Sequence, residues 1–166
     1  MQQHTHCSYC GQAFDLEQYF PRTCSTCHNI TYINPTPVAV VLLPVDEGLL
    51  ILQRGIPPQV GKWALPGGYI DFGETWQQGC ARELWEETGI KIPAESFTLF
   101  DVHSPANGGL VLIFGIASAM SATDLPAFVP NEEVLAWDIL RKFELWAFPL
   151  HTLVTEAFFS QKAGRK

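Results

Sequence analysis

Continuous apolar runs alternate with segments of helical period along the chain, and the runs predict strands. The stretch "VAVVLL" at 38–43 and the stretch "LLILQR" at 49–54 each match the pattern of a buried strand. Pro44 to Gly48 read as a turn between them. We therefore expect these two strands to pair with each other as a hairpin.

Three more strands are expected in the second half of the chain. The runs "SFTLFDVHS" at 96–104 and "LVLIFGIAS" at 110–118 flank the turn signal "NGG" at 107–109. A short strand is predicted at 132–137, after an irregular connection at 120–131. A connection of that length is typical of a substrate-binding loop.

Two segments carry helix signals. Thr75 and Gln78 make a capping-box pattern, and Gly89 suits the left-handed position that ends a helix, so a helix is predicted at 75–88. Pro149 suits a first helical position, and apolar residues follow it at spacings of three and four. A second amphipathic helix is therefore expected near the C-terminal end.

The composition indicates one globular domain with a small appendage. The chain has 166 residues, and 47% of them are hydrophobic, which is ample for a core. The longest apolar stretch, at 110–120, is far shorter than the roughly 20 residues that cross a bilayer. No basic leader followed by an apolar region opens the sequence. We expect a soluble cytoplasmic protein without a membrane partner.

The net charge of the chain bears on which partners it can bind. Ten Lys and Arg against 17 Asp and Glu give a net charge of -7, which repels phosphate backbones at long range. Nucleic acid is therefore an unexpected partner. An anionic small molecule that binds to such a chain needs a bridging cation.

Four of the five cysteines form two pairs near the N-terminus: Cys7 with Cys10, and Cys24 with Cys27. Two such knuckles can supply the four sulfurs of a tetrahedral zinc site. Disulfides or redox pairs are the alternative, and an intracellular chain disfavours structural disulfides. A segment of about 34 residues also cannot bury enough surface to fold alone, so a structural zinc ion is expected.

The sequence "NPTP" at 34–37 marks a boundary between a zinc ribbon at 1–34 and a second domain at 35–166. Arg22 is the single Lys or Arg in the ribbon, which therefore lacks the basic surface that nucleic-acid binding needs. Three histidines near the knuckles are interpreted as exposed polar residues: His4, His6 and His28. Cys80 is interpreted as a small buried residue of the first helix.

The helix at 75–88 carries a cluster of carboxylates. Glu83, Glu86 and Glu87 fall within an arc of roughly 100° when residues advance by about 100° each. A solvated acidic face is the bland interpretation. Against it, Glu86 and Glu87 lie in the last turn, where the helix dipole disfavours anions. Clustered carboxylate oxygens become favourable around a divalent cation, and such hard ligands select Mg²⁺ or Mn²⁺.

The segment "GYIDFGETWQQGCARELWEETGI" at 68–90 resembles the Nudix box at all of its defining positions. The matching residues are Gly68, Glu74, Arg82, Glu83, Leu84, Glu86, Glu87, Gly89 and Ile90. The resemblance extends over roughly residues 37–160, and the first segment is similar to the zinc ribbon of NADH pyrophosphatases and related nucleotide-sugar and flavin pyrophosphatases. It implies an α/β/α sandwich with a mixed sheet. It also implies a pyrophosphohydrolase that cleaves a nucleoside diphosphate linked to another moiety.

The resemblance implies roles for individual residues. The catalytic Mg²⁺ or Mn²⁺ is expected at Gly67, Glu83, Glu86 and Glu87. The expected catalytic set is Glu74, Arg82, Glu83, Glu132 and Glu133, with Glu74 supporting the site and Arg82 orienting the carboxylates. The general base is left open between Glu83, which is preferred, and Glu132 or Glu133.

The substrate class stays open among ADP-ribose, NADH and FAD types. The chain lacks the Ser-Gln-Pro-Trp-Pro-Phe-Pro type of array that follows the box in NADH pyrophosphatases, whereas Pro105 stands where ADP-ribose pyrophosphatases have a marker proline. Base-stacking candidates are Trp63, Trp76, Trp85, Phe128, Trp137 and Trp146, although aromatic residues at such positions are more often core. The rival class is a non-catalytic nucleotide-binding or regulatory module that recognises a partner through the ribbon. A homodimer is also expected from the resemblance.

Overall fold

The computed structural model of the chain describes residues 4–142 and 147–163. The chain divides into two compact units, Met1–Pro35 and Thr36–Lys166. The first unit contains a two-stranded antiparallel sheet of β1 (Arg22–Thr23) and β2 (Ile30–Thr31). Its small apolar core consists of Cys7, Phe14 and Cys24.

Arg22 stabilises the first unit from within. Its guanidinium lies over the ring of Phe20 at 4.3 Å and over that of Phe14 at 5.7 Å. It also donates hydrogen bonds to backbone carbonyls, including that of Gln18 at 2.6 Å. The side chain is buried. The one basic residue expected in this segment is therefore committed to internal contacts, and His4, His6 and His28 are exposed as predicted.

Within residues 36–142 and 147–163, the second unit contains two sheets and two long helices. One sheet is mixed and has the order β7-β3-β9-β8, in which β3 and β9 run parallel. The other is antiparallel and has the order β10-β5-β4, with β6 also paired to β5. The elements are β3 (Thr36–Leu42), β4 (Pro44–Val45), β5 (Gly48–Arg54), β6 (Trp63–Ala64), β7 (Gly67–Tyr69), α1 (Trp76–Thr88), β8 (Thr98–His103), β9 (Leu110–Ile116), β10 (Val134–Leu140) and α2 (Pro149–Ala163).

Strand β3 is buried on both faces, which explains its continuous apolar run. Ala39 and Val41 belong to a core cluster that also contains Cys80 and Leu84 of α1. Val40 belongs to a second cluster, which includes residues of α2. The sheets therefore lie between helices, and the predicted α/β/α sandwich with a mixed sheet is confirmed. Cys80 is fully buried, as predicted.

The predicted hairpin of 38–43 with 49–54 is wrong. Both edges of β3 are occupied, by β7 on one side and β9 on the other, and β5 pairs with β10 in the other sheet. The short β4 pairs with the start of β5, and the Leu50 N–H donates to the Leu43 carbonyl at 3.0 Å, so only the last residue of the predicted strand 38–43 contacts β5 in this way among the described residues. Strands that are apolar on both faces need cover from both sides, so neighbours in sequence separate into different sheets here.

The remaining strands and helices are close to the predictions. Strands β8 and β9 form the predicted antiparallel pair. Strand β10 begins two residues later than predicted and ends three later. Helix α2 begins at the predicted Pro149.

Candidate active site

Helix α1 is fixed at both ends by local contacts. The Thr75 side chain accepts from the Gln78 N–H at 3.3 Å, and the Gln78 side chain accepts from the Thr75 N–H at 2.8 Å. Gly89 has φ 75° and ends the helix in the left-handed conformation. The predicted capping box and C-cap are both present, and they set the rotation at which α1 presents its carboxylates.

The buried face of α1 is apolar and the opposite edge is acidic. Its buried residues are Gly79, Cys80, Leu84 and Thr88. Glu83, Glu86 and Glu87 project away from this face, and all three line one cavity. The arc predicted from the helical period is therefore found in the structure.

Arg82 connects two of these glutamates to each other. Its Nη1 donates to Glu83 Oε1 at 2.7 Å and to Glu86 Oε2 at 3.0 Å. Glu83 is partly buried, which raises the pKa of its carboxyl, while the nearby Arg82 charge opposes the rise. One guanidinium thus sets the positions of two carboxylates.

The other side of the Arg82 guanidinium binds Glu74. Nε and Nη2 donate to the two Glu74 oxygens at 2.8 and 3.0 Å, and Nη2 also donates to the Tyr69 carbonyl at 2.8 Å. This two-pronged contact keeps the pKa of Glu74 below its ordinary value. The Asp71 N–H donates to Glu74 as well, at 3.0 Å. Arg82 therefore joins the loop before α1 to the middle of the helix.

Glu87 is held separately, by the backbone of β7. The Gly67 N–H donates to Glu87 Oε2 at 2.9 Å. Burial of the carboxyl raises the pKa of Glu87 to about 8, against the lowering effect of this hydrogen bond. A carboxylate in this setting gains most from a nearby cation.

Glycines at 67 and 68 make room for these contacts. A Cβ on Gly67 would lie 2.3 Å from the Ala39 carbonyl oxygen, and the residue has φ 150°. A Cβ on Gly68 would lie 2.4 Å from Glu83 Oε1. The Glu83 carboxyl therefore occupies the space that a side chain at position 68 would fill.

The shared cavity has a volume of about 650 Å³, which is within the range for small-molecule sites. Its acidic end contains the three box glutamates, Gly67 and Gly68. Its other walls are mainly apolar, including Val38, Val40, Leu65, Leu110, Leu112 and Phe148. The cavity thus combines a charged end with an apolar one.

Glu133 lines this cavity, and its charge acts on both Glu83 and Glu87. Glu132 is exposed and is not among the residues that line the cavity. The sequence analysis gave Glu132 and Glu133 as alternatives to Glu83 for the general base. The structure brings only Glu133 to the carboxylate cluster.

Sequence reasoning missed Arg54, Phe148 and His151. The Arg54 guanidinium lies over the Phe148 ring at 5.2 Å and donates from Nε to the Pro58 carbonyl at 2.8 Å. All three residues line the cavity. Arg54 is more than ninety positions away from Phe148 and His151 in the chain, so no local pattern could have grouped it with them. The one sequence feature that could have drawn attention to Arg54 is its position as the basic last residue of the predicted strand "LLILQR".

None of the five predicted aromatic candidates that lie within the described residues lines the cavity. The tryptophans at 63, 76, 85 and 137 do not line it, and Phe128 stacks on Trp137 with ring centroids 5.2 Å apart. Trp146 lies outside the described residues. Pro105 does line the cavity.

The connection at 120–131 packs at the C-terminal end of α1. A separate cavity of about 460 Å³ lies between Pro126–Asn131 and the helix end around Trp85. Asn131 donates from Nδ2 to the Glu86 carbonyl at 3.5 Å. The predicted loop therefore contacts the helix that carries the glutamates, and the large cavity is lined from this region by Glu133.

The four paired cysteines of the first unit form a compact cluster. Their sulfurs all lie within 4.8 Å of one another, and the distances from Cys7 to Cys27 and from Cys10 to Cys24 are 3.6 Å. Four sulfurs around one zinc ion at about 2.3 Å would be about 3.8 Å apart, so the cluster fits. All five cysteines are free thiols, which is against the disulfide alternative.

The glutamate cluster is less convergent than the cysteine cluster. Within residues 4–142 and 147–163, the cysteines alone form a group of three or more candidate ligands that all lie within 4.8 Å. Glu83 and Glu86 are held by Arg82, whereas Glu87 is held by Gly67. Like-charged carboxylates repel one another, and their separate hydrogen-bond partners hold Glu87 apart from Glu83 and Glu86. Carboxylate oxygens are nonetheless the type of donor that Mg²⁺ and Mn²⁺ prefer.

Within the part of the chain that the structure describes, no helix is both long and apolar enough to cross a membrane.

Fold, carboxylate helix and cavity together define a protein of the Nudix class. The NUDIX domain family matches residues 34–152, and the chain belongs to this family. The prediction of a zinc-ribbon-containing Nudix protein is thereby confirmed, in agreement with the cysteine cluster.

Relatives support the same class. A "MutT-like protein" of Streptomyces ambofaciens is 36% identical over 109 residues, which cover 61% of this chain and 68% of that protein. The "NAD-capped RNA hydrolase NudC" of Shigella flexneri is 32% identical over 90 residues, 54% of this chain and 35% of that protein. The match therefore spans about a third of NudC.

A solved structure covers nearly the whole chain. The NUDIX hydrolase from Nitrosomonas europaea has a TM-score of 0.78 and 27% sequence identity, and it covers 96% of this chain and 93% of its own. This likeness extends over both units. The hydrolase class predicted from the box agrees with these relatives.

Proposed function

We propose that the protein is a metal-dependent pyrophosphohydrolase that cleaves a nucleoside diphosphate linked to another moiety. The observation that carries the proposal is one cavity that is lined by Glu83, Glu86 and Glu87, by Arg54 and by several apolar side chains. A substrate with a charged pyrophosphate and an uncharged nucleoside matches this division.

The box glutamates are assigned to Mg²⁺ or Mn²⁺, with the Gly67 backbone beside them. Carboxylate oxygens are the preferred ligands of these ions, and Gly68 leaves the space that Glu83 needs. A bound divalent cation activates water and neutralises the leaving oxygen of a pyrophosphate. Removing the cation is therefore expected to abolish hydrolysis while leaving the fold of the second unit intact.

The protein's own residues position the reacting groups. Glu83 takes the proton of the attacking water as the water oxygen bonds to phosphorus, and the bond from that phosphorus to the bridging oxygen breaks. Arg82 holds Glu83 and Glu86 in place, and Glu74 holds Arg82. Arg54 lines the same cavity and offers its positive charge to the pyrophosphate.

Glu133 is the alternative base. It lines the cavity, whereas Glu132 does not. A pH–rate comparison of Glu83→Gln, Glu132→Gln and Glu133→Gln at saturating Mg²⁺ assigns the role, because loss of the base lowers turnover and removes the acidic limb of the profile even when the metal site is filled. We expect this result for Glu83→Gln and unchanged profiles for Glu132→Gln.

ADP-ribose, NADH and FAD are the proposed substrate types. Pro105 lines the cavity and favours ADP-ribose, and the missing proline-rich array disfavours NADH. Since relatives are named as hydrolases of NAD-capped RNA, a capped RNA is included in the test. The net charge of -7 and the buried Arg22 of the ribbon disfavour it.

The test incubates the protein with each of these four compounds, with and without Mg²⁺, and measures the hydrolysis products. We expect mononucleotide products from at least one conjugate, and only when the cation is present. Capped RNA is expected to give the least product. Tight binding of a conjugate without any cleavage would favour the non-catalytic module instead. The structural zinc ion, a homodimer and a cytoplasmic location remain predictions.

A further inference from the structure

His151 is a buried polar residue of α2 that the proposed chemistry does not use. It is 6% exposed, and it lines the large cavity. Its ring packs near Phe148, with centroids 5.2 Å apart, and edge-to-face against Phe114 at 5.9 Å. A polar ring in such apolar surroundings needs partners for both of its nitrogens.

One of these nitrogens has a partner. Nδ1 accepts a hydrogen bond from the Leu65 N–H at 3.1 Å. A neutral imidazole that accepts at Nδ1 carries its proton on Nε2, so the tautomer is fixed. Burial lowers the pKa of His151 to about 3, and the ring is therefore neutral near pH 7.

The second nitrogen has no acceptor among residues 4–142 and 147–163. None of the hydrogen bonds within these ranges involves Nε2, whereas Nδ1 and the backbone groups of His151 are engaged. A buried donor without an acceptor is unfavourable, and in a cavity wall it is available to a ligand.

Charge distinguishes this part of the cavity from the glutamate end. The Arg54 charge acts on both Glu87 and His151, so Arg54 lies near each of them, and no carboxylate of the described residues is among the groups that act on His151. Leu65 and Phe148 also line the cavity beside the histidine. The phosphates belong with Arg54 and the metal-binding glutamates, so the neighbourhood of His151 suits an uncharged part of the ligand.

We propose that the Nε2–H of His151 donates a hydrogen bond to an uncharged acceptor on the nucleoside of the substrate, a ring nitrogen, carbonyl or hydroxyl oxygen. This inference rests on the proposed nucleotide-conjugate function and assigns His151 to substrate selection. A donor of this kind distinguishes nucleosides that place an acceptor there from those that place a donor.

The test compares two uncleavable probes in the presence of Mg²⁺. α,β-Methylene-ADP carries a nucleoside and a diphosphate mimic, and methylenediphosphonate carries the mimic alone. In His151→Asn, the side-chain oxygen can still accept from the Leu65 N–H, but the amide nitrogen is one bond closer to the backbone than Nε2 and so does not place a donor at the same position. Titration calorimetry is expected to show about tenfold weaker binding of α,β-methylene-ADP and unchanged binding of methylenediphosphonate.

Three results would overturn the inference. The variant could lose equal affinity for both probes, or lose affinity for neither, or the wild-type protein could fail to bind α,β-methylene-ADP. Nitrogen-15 NMR of the wild-type protein gives a second test that does not depend on how the variant folds. We expect the Nε2–H tautomer, with a proton shift on addition of α,β-methylene-ADP alone; an Nδ1–H tautomer or an unresponsive proton contradicts it. Because binding is measured, failure of hydrolysis in the substrate panel is a separate result.

Discussion

Arg82 binds the Glu74 carboxylate through two hydrogen bonds, at 2.8 and 3.0 Å, while its remaining nitrogen serves Glu83 and Glu86. A lysine has one charged nitrogen and cannot reproduce this planar fork. Arg82→Lys is therefore expected to lower kcat/KM by about 10- to 100-fold, a usual effect of losing a residue that orients metal ligands. Steady-state kinetics on the best substrate of the panel measures it.

The matched control for that substitution is Arg141→Lys. Arg141 is exposed and lies outside the cavity, so the same chemical change is expected to leave kinetics unchanged. Equal kinetics for wild-type protein and Arg82→Lys would contradict the positioning role.

Gly68→Ala tests the space that Glu83 occupies. The new Cβ would come within 2.4 Å of Glu83 Oε1, so the carboxyl must move away from its position. Because the obstacle is the end of a flexible side chain, we expect a fall in kcat/KM of about tenfold or more with little change in Tm. Gly109→Ala is the control, since its Cβ would meet nothing closer than 3.9 Å. A large drop in Tm for Gly68→Ala with normal kinetics per folded molecule would speak against this explanation.

The cysteine cluster predicts one zinc ion per chain. Cys24→Ala is expected to lose the zinc and the folded structure of the first unit, because so small a unit depends on its metal. Elemental analysis and amide NMR spectra report the two effects. Cys80→Ala removes a cysteine outside the cluster and is expected to keep the zinc. Full zinc content in Cys24→Ala, or disulfides found by thiol titration of the wild-type protein, would refute the assignment.

Stability is expected to depend on pH through His151. The folded protein keeps this ring neutral down to a pKa of about 3, whereas the unfolded chain binds a proton near pH 6.5. The unfolded state therefore holds more protons between these values. The contribution of His151 to the free energy of unfolding is complete above about pH 6.5 and declines as the pH falls toward 3.

Urea unfolding of the wild-type protein and His151→Asn from pH 4.5 to 7.5 measures this effect. The wild-type protein is expected to lose stability more steeply on acidification, by up to about 1.4 kcal/mol per pH unit relative to the variant. Parallel pH curves for the two proteins would show that the histidine is not buried in a neutral state.

The sequence predicted the parts of the site that are local. The capping residues Thr75 and Gln78 and the terminal Gly89 determine where α1 begins and ends, and the helical period then places Glu83 and Glu87 on one side. Such signals lie within a few residues of one another, so they are readable without a tertiary structure.

The sequence could not predict what depends on distant pairing. Apolar runs identified β3 and β5 as buried strands, but which sheet each joins depends on β9 and β10, far along the chain. The same limit applies to Arg54 and His151, which meet in the cavity only after β5 and α2 are packed. Glu132 and Glu133 are adjacent residues of the same type, so the sequence does not show which of them reaches the site. The path of the chain just before β10 brings Glu133 to the cavity.

We propose that the three box glutamates share one divalent cation in the cavity. Binding of Mn²⁺, followed by electron paramagnetic resonance, tests it in the wild-type protein, Glu83→Gln, Glu86→Gln and Glu87→Gln, with Glu132→Gln as the control outside the cavity. We expect at least about tenfold weaker Mn²⁺ binding in the three box variants and wild-type binding in the control, as removal of a charged oxygen ligand predicts. Wild-type Mn²⁺ affinity in all three box variants would contradict the account.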